Sequence, residues 1–329
     1  MRLDPERGRL ADRPSAIPVR GWRDVALRVK REIKRDDVPL LAAGVAFFAL
    51  LALVPALVAL VSLYGLVADP ADIQRNVDDV LAAAPTEVRD LVQSQLSSIV
   101  DSSPQGLRLG ALVGLVVALW SASSGMKHLI AAVNRAYGED ETRGFIRLRG
   151  LSLILTVGAV VALLVALYAL IVAPNSLSDE GSSSVLRTTL LVVRWPLLAV
   201  AAMCGLAVIY RYAPDRDEPR WNWVSIGAVF ATVVWLAASV GFSIYSANFG
   251  RYNETYGALG AVVVMMLWLY ISAYATVAGA ELNAELERQT ARDTTTGRPE
   301  AMGRREAHAA DTLGDSPGSS TRPNRDARA

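Results

Sequence analysis

The chain has 329 residues, of which 52% are apolar and 20% are charged, and its mean hydropathy is +0.31. These values are ordinary for a polytopic membrane protein and argue against a soluble enzyme domain. The one cysteine, Cys204, excludes an intramolecular disulfide, and the two histidines, His128 and His308, fit no metal-ligand spacing. We therefore expect neither a catalytic site nor a cofactor.

The N-terminal region divides into two parts. Residues 1–17 are polar and rich in Arg, Asp and Pro, which predicts disorder. Residues 18–37 predict a basic amphipathic helix, with five apolar side chains at helical spacing: Trp22, Val25, Ala26, Val29 and Ile33. The preferred interpretation places this helix on an anionic membrane surface, and the alternative packs it on the protein's own loops.

The first charge-free run covers residues 38–68 and is long enough to cross a bilayer as a helix. Asp36 and Asp37 precede Pro39, which favours a helix start there. Pro55 lies inside the run and removes one helical hydrogen bond, so a kink is predicted. The kink either serves a lipid path or only shapes helix packing.

Residues 69–108 are polar and contain two apolar stripes separated by Ala84-Pro85-Thr86. They predict two amphipathic helices outside the hydrocarbon layer, an insert in the first extracytoplasmic loop. The pair Asp78-Asp79 raises the question of a metal site. A solvated acidic face is the favoured interpretation, because no histidine or spaced third ligand accompanies the pair.

Five further crossings follow, at 109–126, 150–174, 195–210, 224–246 and 255–280. The fourth is short and is expected to begin before Arg194, near residue 188. Ser123 and Ser124 follow the apolar part of the second crossing, and they either line a polar path or bond back to their own helix. Residues 289–329 contain few bulky apolar side chains and predict a disordered tail.

The distribution of basic residues predicts the orientation. An even number of crossings leaves both termini on one side, and the segments on that side contain 27 of the 33 basic residues. Positive charge favours the cytoplasmic side, so both termini are expected in the cytoplasm and the protein in the plasma membrane.

With these segments placed, the chain resembles the YihY/BrkB family of bacterial inner-membrane proteins, once labelled ribonuclease BN. The resemblance covers roughly residues 20–288. It implies an all-α protein with six transmembrane helices, no secure enzymatic activity, and a role in lipid or envelope-precursor transport as proposed for some members. The stretches that carry it are LAAGVAFFALLALVPALVAL (41–60), SASSGMKHLIAAVNRAYG (121–138), YRYAPDRDEPRWNW (210–223), GAVFATVVWL (227–236), YGALGA (256–261) and GAELNAELER (279–288).

Two functions from different classes remain open at this point. One is lipid or envelope-precursor transport, with membrane lipids as partners. The other is a non-catalytic scaffold that docks a protein through residues 69–108. A ribonuclease is disfavoured and no nucleic acid is expected as a partner, because the acids lie among arginines without ligand spacing. The candidate residues for lipid handling are Pro55, Ser123, Ser124, Asn134, Tyr245, Tyr256, Gly257 and Glu281.

Overall fold

The computed structural model describes residues 4–67, 106–168, 184–247 and 258–315. Within these ranges the ordered elements are α-helices, two single 3₁₀ turns and one isolated β-bridge between Pro219 and Thr295. The helices are α1 (Val19–Arg35), α2 (Val38–Val67), α3 (Gly106–Tyr137), α4 (Phe145–Leu167), α5 (Ser184–Tyr212), α6 (Trp221–Ala247), α7 (Ala258–Glu287) and α8 (His308–Asp311).

Six of these helices, α2 to α7, are long and apolar enough to cross a membrane. The predicted all-α, six-crossing architecture is therefore confirmed. In hydrocarbon every backbone N–H and C=O must be paired within the segment, which is why each apolar run forms a helix. The predicted helical insert at 69–108 falls almost entirely outside the described residues and stays a prediction.

The helices are longer than the apolar runs that predicted them. Helix α3 continues from the apolar run through Lys127 to Tyr137, and α5 begins at Ser184, before Arg194, as expected. Helix α4 starts at Phe145, so Arg147 and Arg149 belong to the helix and not to the preceding connector. Helix α7 continues past Ala280 to Glu287. These extensions bring charged residues into the packed part of the molecule.

The spatial order of the six helices differs from their order along the chain. Helix α2 packs between α3 and α7, and α7 also contacts α3 and α6. Helix α4 lies on the outside of α3, and α5 lies on the outside of α6. The bundle therefore has a packed centre of α2, α3 and α7, and α4 and α5 lie outside this centre and contact each other only slightly.

The buried core lies at the end of the bundle where the described N-terminal and C-terminal segments pack, which we call the terminal end. Its largest cluster joins Val38 of α2, Ile130 and Tyr137 of α3, Tyr210 of α5 and Val277 of α7. Toward the opposite end the described apolar side chains are largely exposed, including Val165, Val192, Val240 and Val262. Exposure of this kind suits contact with lipid, because lipid tails are as apolar as the side chains.

Helix α1 packs on the protein and not on the membrane. Val25 is fully buried in a cluster with Trp223 of α6 and Leu286 of α7, and Trp22 and Val29 pack against the same cluster. The preferred prediction, that this apolar face lies on a membrane surface, is therefore wrong. The physical reason is that α6 and α7 offer it an apolar partner at the terminal end.

The predicted disorder of residues 1–17 and 289–329 is wrong wherever the structure describes those segments. Residues 4–17 contain 3₁₀ turns at Pro5–Arg7 and Pro14–Ala16, and Ile17 is buried. Residues 289–315 fold over α7, with Arg305 buried and donating to the carbonyl oxygens of Ala291 and Ala310. Arginine side chains bonded to backbone carbonyls thus order a segment that has few apolar residues.

Helices α6 and α7 approach closely through two glycines. A methyl group on Gly279 would lie 2.8 Å from both the carbonyl oxygen of Gly227 and the Cβ atom of Ala231. A Cβ on Gly227 would in turn collide with the backbone of Gly279 and the side chain of Asn283. Small residues at both positions are what allow the two backbones to touch.

Replacing Gly279 by alanine is expected to lower the thermal midpoint of the detergent-solubilised protein. The added methyl group must push two backbones apart, and overpacking of this kind costs about 1–3 kcal/mol. Gly158→Ala on α4 is the matched control, since no atom lies within 4 Å of a Cβ built there. Size-exclusion thermostability assays measure both variants, and equal midpoints would contradict the close contact.

Candidate functional site

The last turns of α7 carry a buried cluster of polar and charged side chains. Glu281, Asn283, Glu285 and Glu287 are each no more than 1% exposed, and Gln289, two residues after the end of the helix, is also buried. They are buried because α7 extends beyond its apolar run into a layer formed by residues 4–35, 213–220 and 281–315, which we call the terminal layer. Buried charges require partners, and the terminal layer supplies them for Glu285 and Glu287.

The first partner is Arg28 of α1. Its guanidinium bonds the carboxylate of Glu285 and also donates to the carbonyl oxygen of Glu285 at 3.0 Å and to Oε1 of Gln289 at 2.8 Å. Both side chains of the pair are at most 3% exposed. Arg288 donates to the other carboxylate oxygen of Glu285 at 2.5 Å. The pair therefore ties α1 to the end of α7 through charge-assisted hydrogen bonds.

The second partner is Arg216, from the connector between α5 and α6. Its Nη1 and Nη2 atoms donate to the two oxygens of Glu287 at 3.2 and 2.7 Å, and both side chains are fully buried. The hydroxyl of Thr294 donates to the same carboxylate at 2.6 Å, and the Tyr137 ring lies 5.1 Å from the guanidinium carbon. The bidentate ion pair fixes the connector to the end of α7, and the Tyr137 ring brings α3 into the same contact.

Glu281 differs from the other acids of the terminal layer. Its Oε1 atom is buried and accepts no hydrogen bond from any described residue. The charges that act on it are the acids Asp36, Glu285 and Glu32, opposed by Arg288. A buried carboxyl oxygen without a donor is costly and calls for an explanation. Of the predicted candidates that the structure describes, Glu281 is the one with a buried side-chain oxygen that has no donor.

Asn134 has a structural task in the same region. Its amide nitrogen donates to Glu141 at 2.9 Å, and its amide oxygen accepts from the backbone of Asp215 at 2.8 Å. Burial raises the pKa of Asp215, but bonds from the Thr142 hydroxyl and amide and the charge of Arg143 outweigh burial and hold that pKa below its ordinary value. Asn134 thus clamps the two connectors, 138–144 and 213–220, together.

Ser123 and Ser124 lie on α3, far from Glu281 along the helix axis. The hydroxyl of the buried Ser123 donates to the carbonyl oxygen of Trp120 at 2.7 Å, so of the two alternatives the helix-internal bond is observed. Ser124 accepts a long 3.4 Å bond from Arg149 of α4. The guanidinium carbon of Arg149 lies 3.9 Å from the centre of the Trp120 ring.

The other described candidates, Pro55 and Tyr245, do not join a common site. Helix α2 continues through Pro55, which is half-buried. Tyr245 is 48% exposed near the other end of α6, with its ring 6.2 Å from that of Phe242. Tyr256 and Gly257 lie outside the described residues and stay predictions. The six described candidates are therefore spread over the bundle, and of these six only Glu281 and Asn134 belong to or border the terminal layer.

Sequence reasoning missed the arginines that matter most. Arg28 is one of several bases in the predicted amphipathic helix 18–37, and Arg149 falls just outside the predicted crossing 150–174, so the sequence assigns neither a partner. The available signal was the spacing of Glu281 and Glu285, which places two acids on one helix face directly after an apolar run. Among the described residues no group of three or more His, Cys, Asp or Glu side chains could hold a metal ion.

His308 holds the C-terminal segment against α3. Its ring packs on Gly138, where an added Cβ would lie 2.8 Å from the ring atom Cδ2, and its backbone N–H donates to Glu139 at 2.7 Å. Burial lowers the pKa of His308, and the charges of Arg288 and Arg35 lower it further against the opposing charge of Asp311. Burial also raises the pKa of Glu139.

Comparison with known proteins gives a consistent family. A family model described as virulence factor BrkB matches residues 29–303. The chain is 32% identical over 256 residues to the ribonuclease-like protein YfkH of Bacillus subtilis, covering 75% of this chain and 90% of that protein. It is 24% identical to the UPF0761 membrane protein PBPRA3489 of Photobacterium profundum, covering 82% and 83% of the two chains. No solved structure matches significantly.

The substitution Glu287→Gln is expected to destabilise the protein strongly. It leaves the Arg216 guanidinium buried without a counter-charge, which typically costs about 3–5 kcal/mol. Glu6→Gln is the control, because Glu6 and its partner Arg20 are both 73% exposed and such pairs contribute about 0–1 kcal/mol. Thermal unfolding in detergent measures both, and a similar small loss in the two variants would refute the assigned importance of the buried pair.

Attachment of the C-terminal segment is expected to strengthen as pH rises through the window below about 6.5, the ordinary pKa of histidine. The folded pKa of His308 is lowered, so in this window the unfolded segment binds more protons and its attachment weakens on acidification. The raised pKa of Glu139 acts in the opposite sense. Hydrogen-exchange protection factors for residues 304–314 measure the effect.

The matched variant for this experiment is His308→Gln. This variant keeps the backbone N–H that donates to Glu139 and removes the titrating ring. The protection factors of the variant are therefore expected to lose the rise with pH that depends on the histidine. An unchanged pH profile in the variant would show that another group is responsible.

Proposed function

The chain belongs to the virulence factor BrkB family and is a multi-pass membrane protein, and from this premise we propose that it moves envelope lipids or lipid-linked precursors within the bacterial cytoplasmic membrane. One observation supports this proposal above the others. Helices α4 and α5 pack only weakly against each other, and we call the boundary between them the seam.

The seam separates two helices that are consecutive in the chain. Helix α4 contacts α3 extensively and α5 contacts α6 extensively, whereas α4 and α5 contact each other only slightly. Helix α5 is also the least buried of the six spans, and α4 exposes Ile154 and Leu163. A weakly packed apolar seam is a place where an acyl chain can enter a bundle from the side, because it replaces no strong protein contact.

The terminal layer supplies the fixed part of this proposed device. Its paired charges hold α1, α3, the connector at 213–220 and α7 together. Movement of α4 and α5 therefore costs less free energy than movement of the central helices. Within this fixed part, Glu281 has a buried carboxyl oxygen with bonding capacity left for a proton or a donor. Polar groups of this kind within membrane helices commonly mark functional paths.

The proposed orientation places the terminal layer in the cytoplasm. The segments on this side carry 27 of the 33 basic residues, and the positive-inside tendency assigns such segments to the cytoplasmic face. Both termini would then be cytoplasmic.

A nuclease is less well supported. The name of YfkH calls that protein ribonuclease-like, but the buried acids Glu285 and Glu287 of this chain are engaged by arginines. A two-metal or acid–base site needs carboxylates free to bind metal or water. The scaffold alternative rests on residues 69–108, of which the structure describes only 106–108, the start of α3.

Purified protein reconstituted into liposomes is expected to carry a fluorescent phospholipid between the leaflets. Dithionite bleaching of the outer leaflet reports this, because transport brings the protected inner-leaflet probe within reach. Glu281→Ala is expected to slow the exchange several-fold while expression and thermal midpoint stay close to wild type. Tyr256→Ala, at the candidate two residues before the start of α7, is expected to act in the same direction.

The exposed acid Glu300 provides the control substitution, Glu300→Gln, for which no change is expected. Proteoliposomes that bleach like empty vesicles would overturn the transport proposal. If such protein instead binds a partner only when residues 69–108 are present, the scaffold function replaces it.

A further inference from the structure

Arg149 of α4, which is partly buried, differs from three buried arginines of the terminal layer. Arg28, Arg216 and Arg305 each face a carboxylate of the protein. Arg149 instead stacks on Trp120 and donates to the Trp120 carbonyl oxygen and to the hydroxyl of Ser124, which are both neutral acceptors. Its charge has no described counter-ion, and its Nε atom is buried without any acceptor.

The position of Arg149 in the bundle indicates which kind of anion could neutralise its charge. The residue lies in the second turn of the membrane span of α4, and its ring partner Trp120 is 47% exposed on the outer surface of α3. Arg149 is the fifth residue of α4, so it lies near the terminal-end border of that span. Its guanidinium rests on the exposed ring of Trp120, on the outer surface of α3.

The neighbouring side chains extend the same chemistry. Trp120, Ser124 and Lys127 are spaced by four and three residues, so they share one face of α3. Lys127 is exposed and lies on the terminal-end side of Arg149's partners. This set contains a tryptophan, a hydroxyl and two basic side chains at the border of an apolar span. Such a set is typical of the level in a membrane where lipid acyl chains meet headgroups.

We propose that Arg149, stacked on Trp120 and assisted by Ser124 and Lys127, binds the phosphate of an anionic phospholipid in the groove between α3 and α4. Arginine suits this task because its planar fork donates two parallel hydrogen bonds to a phosphate while its face remains on an aromatic ring. The inference deepens the proposed lipid-handling function and rests on it, since it names the class of lipid held.

Native mass spectrometry of the detergent-solubilised protein tests the site by titration with phosphatidylglycerol. Wild-type protein is expected to retain this lipid, and Arg149→Gln is expected to bind it about tenfold more weakly, corresponding to about 1.4 kcal/mol. Arg149→Lys keeps the charge but not the fork or the stacking, so an intermediate affinity is expected. Arg147→Gln, at an exposed base two residues away, is the matched control and is expected to bind as wild type.

A structural role of Arg149 is separated by a second measurement. Phosphatidylglycerol is expected to raise the thermal midpoint of wild type and Arg147→Gln but not of Arg149→Gln, whereas phosphatidylcholine and inorganic phosphate leave all three unchanged. If Arg149→Gln does not fold, Trp120→Phe, which keeps a smaller ring beneath the guanidinium, is titrated in its place and is expected to weaken binding.

Three results would overturn the inference: equal lipid affinity in wild type and the Arg149 variant (or its Trp120 replacement), an equal loss in Arg147→Gln, or competition by inorganic phosphate at the concentration of the lipid. Binding is measured without transport. If lipid binding depends on Arg149 but the protein does not exchange lipid between leaflets, only the transport proposal is refuted. If the protein exchanges lipid but binding does not depend on Arg149, only the present inference is refuted.

Discussion

The neutralisation of the acids at the end of α7 is the constraint on which the rest of the molecule depends. Glu285 and Glu287 follow an apolar span without a break in the helix, so they are carried into a packed region where an isolated charge is unfavourable. Arg28 and Arg216 compensate them from two separate parts of the chain. Helix α1 and the connector at 213–220 are therefore held where these two side chains can reach.

This arrangement explains why one end of the bundle is tightly packed and the other is not. At the terminal end, ion pairs, the Asn283 bonds to the backbone of α6 and the Gly227–Gly279 contact lock α6, α7 and α1 together. Toward the other end the helices present apolar side chains to the surroundings, and in a membrane no hydrophobic force drives such surfaces together. The looseness of α4 against α5 is a consequence of this difference.

The sequence predicted the spans well and the terminal layer badly, for one physical reason. A charge-free run of about 20 residues has no alternative to a helix in hydrocarbon, so the six crossings could be read residue by residue. The role of a charged residue depends on what lies opposite it in space. Arg28, Arg149 and the tail residue Arg305 resembled solvated charges, because their partners are separated from them along the chain or are backbone carbonyls.

The contact between the N-terminal and C-terminal segments determines when the fold can be completed during synthesis. Arg9 donates to the carbonyl oxygen of Gly314, which leaves the ribosome 305 residues later, and Gln289 donates to the carbonyl oxygen of Arg7. Until the last span is inserted and the final segment is released, Arg28 has no acid to meet. A prematurely terminated chain would thus expose unpaired arginines at the membrane border, a feature by which quality-control proteases could distinguish it from the finished protein.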